Sequence, residues 1–204
     1  MMKPTIALLT SAAFALVTSL SFAEEGFTPL FDGETLEGWK VSENPASFKV
    51  VDGSLVAHGP RGHAFYVGDF NGAKFTDFEL RLEAMTKENS NGGVFFHTDW
   101  VDEGWPPNGY EVQVNNTHKD WRKSGGLYAV VDNKEPFEDE TWMKYVIRVE
   151  NGVITVSVNG KELVNHTPEG EENRLQKEGG AIALQAHDPG SVVYYKNIRI
   201  KPLK

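Results

Sequence analysis

Residues 109–115, GYEVQVN, bring together the side chains that are best suited to chemistry. Successive residues of a β-strand point to opposite faces, so Glu111, Gln113 and Asn115 share one face and the residues between them share the other. One carboxylate and two amides can move protons and hydrogen bond hydroxyl groups. The pattern predicts a ligand-binding strand face, and the alternative is an ordinary solvated surface.

Two other segments add histidines and a further amide. In residues 92–98, His97 and Phe95 are expected on the same face of a strand. In residues 181–187, Gln185 and His187 are expected on the face away from the core. If both strands join the sheet of Glu111, small residues on these faces, such as Gly93, leave room for a ligand. The alternative for any single histidine is a structural role.

The loops around this strand are rich in tryptophan. Residues 99–124 interrupt the strand pattern and contain three of the five tryptophans, Trp100, Trp105 and Trp121. An aromatic ring can stack on the C–H face of a pyranose, so these rings are candidates for sugar binding. The alternative is that they only pack the loops against the sheets.

A metal is not part of the predicted site. His97, His187 and Glu111 could bind a divalent cation, but the sequence has no closely spaced ligand motif such as His-x-His. We therefore expect no cofactor, and the metal site remains the alternative.

The elements that must hold these side chains are strands. Apolar and polar residues alternate over 78–84 and 143–150, and Asn159-Gly160 separates two β segments as a hairpin turn does. About a dozen such runs, without long amphipathic helices between them, predict an all-β fold of two stacked antiparallel sheets. No linker divides residues 24–204, so we expect a single domain there.

The first 23 residues are typical of a cleavable signal peptide. Lys3 precedes an apolar stretch, and Ser21 and Ala23 fit a small-residue cleavage site. The alternative is a retained membrane anchor. The pattern predicts a periplasmic or secreted bacterial protein without a membrane segment after cleavage.

The composition limits the classes of molecule that the protein is expected to bind. The net charge is −9 with scattered Lys and Arg, which argues against nucleic acid, and no cysteine is present for disulfides or thiolate metal sites. Neutral carbohydrate remains compatible. The sequence does not indicate an oligomeric state.

The chain resembles the 3-keto-disaccharide hydrolase domain family. The resemblance extends from about residue 26 to 202 and lies in ordered motifs: GFTPLFDG with LEGW (26–39), NGGVFF (91–96), YEVQ (110–113), GLY (126–128), VNG (158–160), LQAH (184–187) and KNIRI (196–200). It implies a concanavalin A-like jelly roll that acts on 3-keto-disaccharides or 3-keto-glycosides. The motif positions it implies as functional are Glu111, Gln113, Tyr128, Gln185 and His187. His97 stands where the family commonly has Arg.

The residues also limit the mechanism. A retaining glycosidase needs a second carboxylate near Glu111, but amides stand at positions 113 and 115. The alternative is a carboxylate from a loop, supplied by Asp99, Asp102 or Glu103. A ketone at C3 would remove that need, because it acidifies the C2 proton and allows the C1 oxygen to leave by elimination. We expect Glu111 and His187 to serve as base and leaving-group acid, in either order. The groups expected to hold the oxyanion are Gln113, Gln185, His97 and Tyr128.

Two other function classes stay open at this point. A non-catalytic carbohydrate-binding domain would use the same tryptophans and amides, and fold does not fix function. A structural envelope domain would need none of them. Cleavage of a 3-keto substrate distinguishes the enzyme from both.

Overall fold

The computed structural model describes residues 24–204, and the predicted signal peptide at 1–23 lies outside the described residues. Within the described part of the chain, no helix is long and apolar enough to cross a membrane. The regular structure consists of strands and three short 3-10 turns, at Pro45–Ser47, Phe70–Ala73 and Gly170–Glu172.

Fifteen strands follow one another along the described chain. In order they are β1 Thr28–Pro29, β2 Trp39–Val41, β3 Phe48–Val51, β4 Ser54–His58, β5 Gly62–Tyr66, β6 Phe78–Thr86, β7 Asn91–Thr98, β8 Tyr110–Asn115, β9 Lys123–Leu127, β10 Val131–Asn133, β11 Met143–Glu150, β12 Val153–Val158, β13 Lys161–His166, β14 Ala181–Ala186 and β15 Val192–Pro202.

The strands form two antiparallel sheets that are not closed into a barrel. The eight-stranded sheet has the order β13-β12-β11-β6-β15-β4-β3, with β1 paired to β15. The seven-stranded sheet has the order β10-β9-β8-β7-β14-β5-β2. The predicted all-β, two-sheet antiparallel fold is confirmed.

The core lies between the sheets, where the period-2 alternation predicts it. Phe78, Leu80 and Leu82 of β6 are at most 1% exposed, and the polar residues between them are half-buried on the other face. On the seven-stranded sheet, Val112 of β8 and Leu184 of β14 are fully buried in the same core. Each fully buried aliphatic side chain contributes on the order of 1.5–3 kcal/mol.

Turn chemistry agrees with the sequence at one hairpin. Asn159 and Gly160 have φ values of 52° and 80° between β12 and β13, the left-handed conformation that an Asn-Gly hairpin turn requires. The structure differs from the sequence pattern at 126–131, which favours a continuous strand. There Val130 N–H donates to Leu127 O, and this turn separates β9 from β10.

Three neighbouring strands of the seven-stranded sheet bring the predicted polar residues together. β7 lies between β8 and β14, with Phe95 opposite Glu111, Gly93 opposite Gln113, and Val94 opposite Leu184. The residues that alternate with the core residues therefore form one polar surface across the three strands. This surface faces away from the eight-stranded sheet.

Candidate active site

A cavity of about 280 Å³ lies on this outer face of the seven-stranded sheet. Its walls come from three central strands, from the loops that join β7 to β8, β8 to β9 and β13 to β14, and from the residues that follow β9 and β14. The lining residues are Asn91, Phe95, Trp105, Pro106, Asn108, Gly109, Tyr110, Glu111, Gln113, Asp120, Tyr128, Arg174, Gln185 and His187. The predicted residues Glu111, Gln113, Gln185, His187, Tyr128 and Trp105 therefore share one cavity.

Glu111 reaches across a whole strand to Gln185. Gln185 Nε2 donates to Glu111 Oε1 at 3.0 Å, although β7 separates their strands. The carboxylate passes over Gly93, where a Cβ atom would lie 2.1 Å from Oε1. Gly93 therefore leaves room for the side chain of Glu111, whereas the sequence suggests that it leaves room for a ligand.

The surroundings of Glu111 favour its protonated form. Its pKa is raised to about 8, chiefly by burial and to a smaller extent by Asp120, while the hydrogen bond from Gln185 lowers it. No basic side chain of the described residues forms an ion pair with Glu111. At neutral pH the carboxyl group is consequently a proton donor.

A second amide extends the polar row. Gln113 is 2% exposed and donates from Nε2 to Asn91 Oδ1 at 3.2 Å. Within residues 24–204, neither Gln113 Oε1 nor Gln185 Oε1 accepts a hydrogen bond. Two buried carbonyl oxygens are thus free to accept hydrogen bonds from the hydroxyl groups of a ligand.

His187 is held by the aspartate that follows it. His187 Nδ1 lies 2.7 Å from Asp188 Oδ2, and Asp188 also accepts from Ser191 Oγ and Gly190 N–H, each at 2.8 Å. Burial alone would raise the pKa of Asp188, but these hydrogen bonds lower it below its usual value. The ionised carboxylate only accepts, so His187 Nδ1 donates and Nε2 keeps a lone pair in the neutral ring.

His118 forms the third member of this cluster. Its ring centroid is 5.5 Å from that of His187, and its Nε2 is 4.0 Å from Asp188 Oδ2. Potential ligand atoms of His118, His187 and Asp188 all lie within 4.8 Å of one another, so this group, rather than the predicted His97, His187 and Glu111, is where a cation could bind.

The contacts of His118 bear on its tautomer. Asp120 N–H donates to His118 Nδ1 at 3.3 Å, and Asn91 Nδ2 lies 3.4 Å from the same atom. Two donors at Nδ1 place the ring proton on Nε2, which is the atom nearest Asp188. A metal at this point would need the opposite tautomer.

Aromatic residues form the rim of the cavity. Trp105 is 47% exposed and its ring centroid is 5.6 Å from that of His187. Tyr128 is 36% exposed, with the Arg122 guanidinium 4.7 Å from its ring. Both rings have the exposure that stacking on a sugar requires.

His97 does not lie in the cavity, and its predicted position beside Phe95 must be corrected. Its φ is 53°, and the register between β7 and β14 shifts at this point, so the alternation is interrupted. The buried ring lies 2.9 Å from Thr76 O through Nε2 and accepts from Gln176 N–H through Nδ1. A bulge that sequence alternation does not reveal has turned His97 into a link between two loops.

Asn115, Trp100 and Trp121 also lie outside the cavity lining. Asn115 is fully buried, and its Nδ2 donates to Asp120 O and Arg122 O, which fixes the loop after β8. Trp100 packs on Phe65 with ring centroids 5.1 Å apart. Trp121 is exposed beside the Arg122 guanidinium.

Sequence reasoning missed Asp188 and Asn91. Asp188 belongs to a His-Asp-Pro-Gly segment that indicates a turn, although a carboxylate beside a candidate base is itself a signal. Asn91 precedes the Gly92-Gly93 pair and fixes Gln113. His118 carried no signal, because only the fold brings it to His187.

Comparison with known proteins shows the family of the chain. Residues 26–201 match the family described as the 3-keto-alpha-glucoside-1,2-lyase-like domain. The chain belongs to this family. The match includes every strand that contributes to the cavity.

Individual relatives are distant. A 3-keto-disaccharide hydrolase of Bacteroides thetaiotaomicron is 23% identical over 88% of this chain and 79% of its own. A proposed glycosyl hydrolase of Parabacteroides distasonis has a TM-score of 0.72 at 22% identity, covering 88% of this chain and 95% of that one. The carbohydrate-binding module CBM66 of Bacillus subtilis has a TM-score of 0.52 at 11% identity, covering 86% and 95%. The family supports a function of the glycoside hydrolase type, and the solved structures support the fold.

Proposed function

We propose that this protein cleaves glycosides whose C3 hydroxyl has been oxidised to a ketone. The observation that carries the proposal is the pairing of a buried, protonated Glu111 with a carboxylate-held His187 in one cavity. A carboxyl group that keeps its proton suits an acid, and an imidazole whose Nδ1 is held by a carboxylate offers Nε2 as a base. The family and the B. thetaiotaomicron relative support the same substrate class.

His187 is the proposed base. The neutral imidazole is oriented through Nδ1 by Asp188, and its Nε2 lone pair can take a proton. In a 3-keto sugar the proton on C2 is acidified by the adjacent ketone. When His187 removes it, the C–H electron pair forms the C2=C3 double bond of an enolate.

Glu111 is the proposed acid. As the enolate returns to the ketone, the C1–O bond breaks, a C1=C2 double bond forms, and the Glu111 proton passes to the leaving oxygen. Addition of water reverses both proton transfers: Glu111 takes a proton from the water that attacks C1, and His187 returns its proton to C2. A lyase would stop before the water step.

The remaining lining residues hold the sugar. Gln113 Oε1 and Gln185 Oε1 are available to accept hydrogen bonds from sugar hydroxyl groups, and the Trp105 and Tyr128 rings offer stacking surfaces at the rim. Neither role requires a cofactor. Because oxidised disaccharides would be met outside the cytoplasm, we also propose that the protein is exported.

Incubation of the purified protein with 3-keto-sucrose tests the proposal. We expect release of 3-keto-glucose or of its C1=C2 enone, detected by mass spectrometry, and no cleavage of sucrose itself. Glu111→Gln and His187→Ala should each slow cleavage by about 100-fold or more. Full activity of both variants would contradict the assignment.

A second candidate is a carbohydrate-binding domain without catalysis. The exposed Trp105 and Tyr128 rings favour it, and CBM66 and the mannose-bound VIP36 lumenal domain have similar folds. Such a domain would bind sucrose and 3-keto-sucrose and leave both intact. The same incubation therefore separates the two functions.

A further inference from the structure

One buried histidine beside the cavity has no role in the mechanism above. His63 of β5 is 0% exposed, and within residues 24–204 neither of its ring nitrogens has a hydrogen-bond partner. It lies opposite Gln185 of β14 in the strand register, so both side chains belong to the face that carries the cavity. His63 thus lies immediately next to the cavity without being part of its lining.

The surroundings of His63 are aromatic. Its ring centroid is 5.3 Å from that of Phe95, 5.6 Å from that of Trp105 and 6.2 Å from that of Phe65. Burial lowers the pKa of His63 to about 4, so the ring is neutral at neutral pH and has one donor and one acceptor. An unsatisfied buried polar group destabilises the folded state, and a phenylalanine here would avoid that loss.

Trp105 is the neighbour of His63 that lines the cavity and is exposed to solvent. The Trp105 ring lies between two imidazoles, 5.6 Å from His63 and 5.6 Å from His187. It is 47% exposed, and it belongs to the strand-free segment 99–109 between β7 and β8. An exposed side chain on such a segment can turn without disturbing the core between the sheets.

A hydrogen bond holds the backbone beside Trp105. Gly104 N–H donates to Glu43 Oε2 at 3.0 Å, and Glu43 is held in turn by Arg61 at 3.0 Å. The Arg61 guanidinium also lies 5.1 Å from the Trp105 ring. Trp105 is thus attached beside the cavity by its backbone, while its ring is partly open to solvent.

We propose that His63 is a covered sugar-binding residue of the cavity and that Trp105 is its cover. When a sugar enters, the Trp105 ring turns aside and the His63 imidazole hydrogen bonds a hydroxyl group, which also offers one donor and one acceptor. The ligand class is a neutral hydroxyl-rich sugar, because a neutral imidazole gives no advantage to an anion. This inference rests on the proposed function for its choice of 3-keto-sucrose as probe.

The binding experiment uses Glu111→Gln as the parent, so that the probe is not consumed. Titration calorimetry compares the Kd for 3-keto-sucrose of this parent with that of the same variant carrying His63→Phe, His63→Gln or His166→Phe. We expect at least about fivefold weaker binding with His63→Phe, in line with the loss of one hydrogen bond. His63→Gln should restore part of the affinity, and His166→Phe, on the other sheet, should leave it unchanged.

Two further readouts exclude a merely structural role. The His63→Phe substitution should not lower the melting temperature, because an apolar ring replaces an unsatisfied imidazole. The imidazole ¹⁵N resonances of His63 in the parent should shift when 3-keto-sucrose is added.

Equal affinity of the parent and the His63→Phe variant would overturn this inference and leave the proposed function unaffected. A lower melting temperature together with lost binding that His63→Gln does not restore would assign His63 to the fold and overturn it as well. If the parent itself fails to bind 3-keto-sucrose, this inference and the proposed substrate class both fall.

Discussion

The outer faces of the two sheets show how the same strand alternation produces two kinds of carboxylate. On the eight-stranded sheet, Glu79 of β6 accepts from Arg81 at 2.6 Å and from Arg148 at 2.8 Å. On the seven-stranded sheet, Glu111 accepts a hydrogen bond from the neutral amide of Gln185. Glu79 is compensated by two positive charges, whereas Glu111 has a raised pKa.

The comparison distinguishes a carboxylate that forms surface ion pairs from a carboxyl group that can take part in a reaction. A carboxylate beside guanidinium groups stays ionised and adds little to stability at a surface. A buried carboxyl without a cation keeps its proton at neutral pH and can donate it during a reaction. The difference lies in the partners that the neighbouring strands supply.

The sharpest test of this comparison is the same substitution on both sheets. Glu111→Gln should lower kcat/KM for 3-keto-sucrose by about 10²- to 10⁴-fold, the contribution that a general acid typically makes. Glu79→Gln is the matched control and should leave kcat/KM within about twofold, with a loss of up to about 1 kcal/mol in the free energy of unfolding. Equal activity losses in both variants would remove the distinction.

The next largest effect is expected at Asp188. Asp188→Asn removes the carboxylate that orients His187, so kcat should fall by about 10²-fold or more while the fold is retained. Steady-state kinetics with circular dichroism checks this. A change in KM alone would show that Asp188 acts in binding rather than through His187.

Gly93→Ala should have a somewhat smaller effect. The new Cβ would overlap Glu111 Oε1 and displace the carboxyl from Gln185, and a displacement near 1 Å costs about 10²-fold in rate. In the Glu111→Gln background the same substitution should add little, because the group it displaces is already inactive. Additive losses would mean that Gly93 acts independently of Glu111.

The smallest effect on activity is the pH dependence that Glu111 contributes. Activity that needs the protonated carboxyl should decline above about pH 8, by up to about tenfold per pH unit. The folded state keeps its proton up to about pH 8, whereas the unfolded chain loses it near 4.5. Over this window the free energy of unfolding should therefore fall as pH rises, by up to about 1.4 kcal/mol per unit.

Denaturant titrations of wild type and Glu111→Gln between pH 5 and 9 measure this stability term. The free energy of unfolding of wild type minus that of Glu111→Gln should fall as the pH rises. If the two curves run parallel, the pKa of Glu111 is not raised and its assignment as the acid fails.

The sequence by itself determined the fold class and six of the fourteen residues that line the cavity. Alternation is a local property, so the residue pattern alone assigns Glu111, Gln113 and Gln185 to the non-core side of their strands. The order of motifs indicates the family resemblance, and the matched family agrees with it.

Only the tertiary structure decided the roles of individual groups. The bulge at His97 depends on the register of β7 against β14, and the contact of Glu111 with Gln185 depends on an empty position at Gly93. His118 and Asp188 meet because separate loops converge. The pKa of a buried group, a bulge and a shared cavity all depend on residues that are distant in the chain. A local sequence pattern does not contain this information.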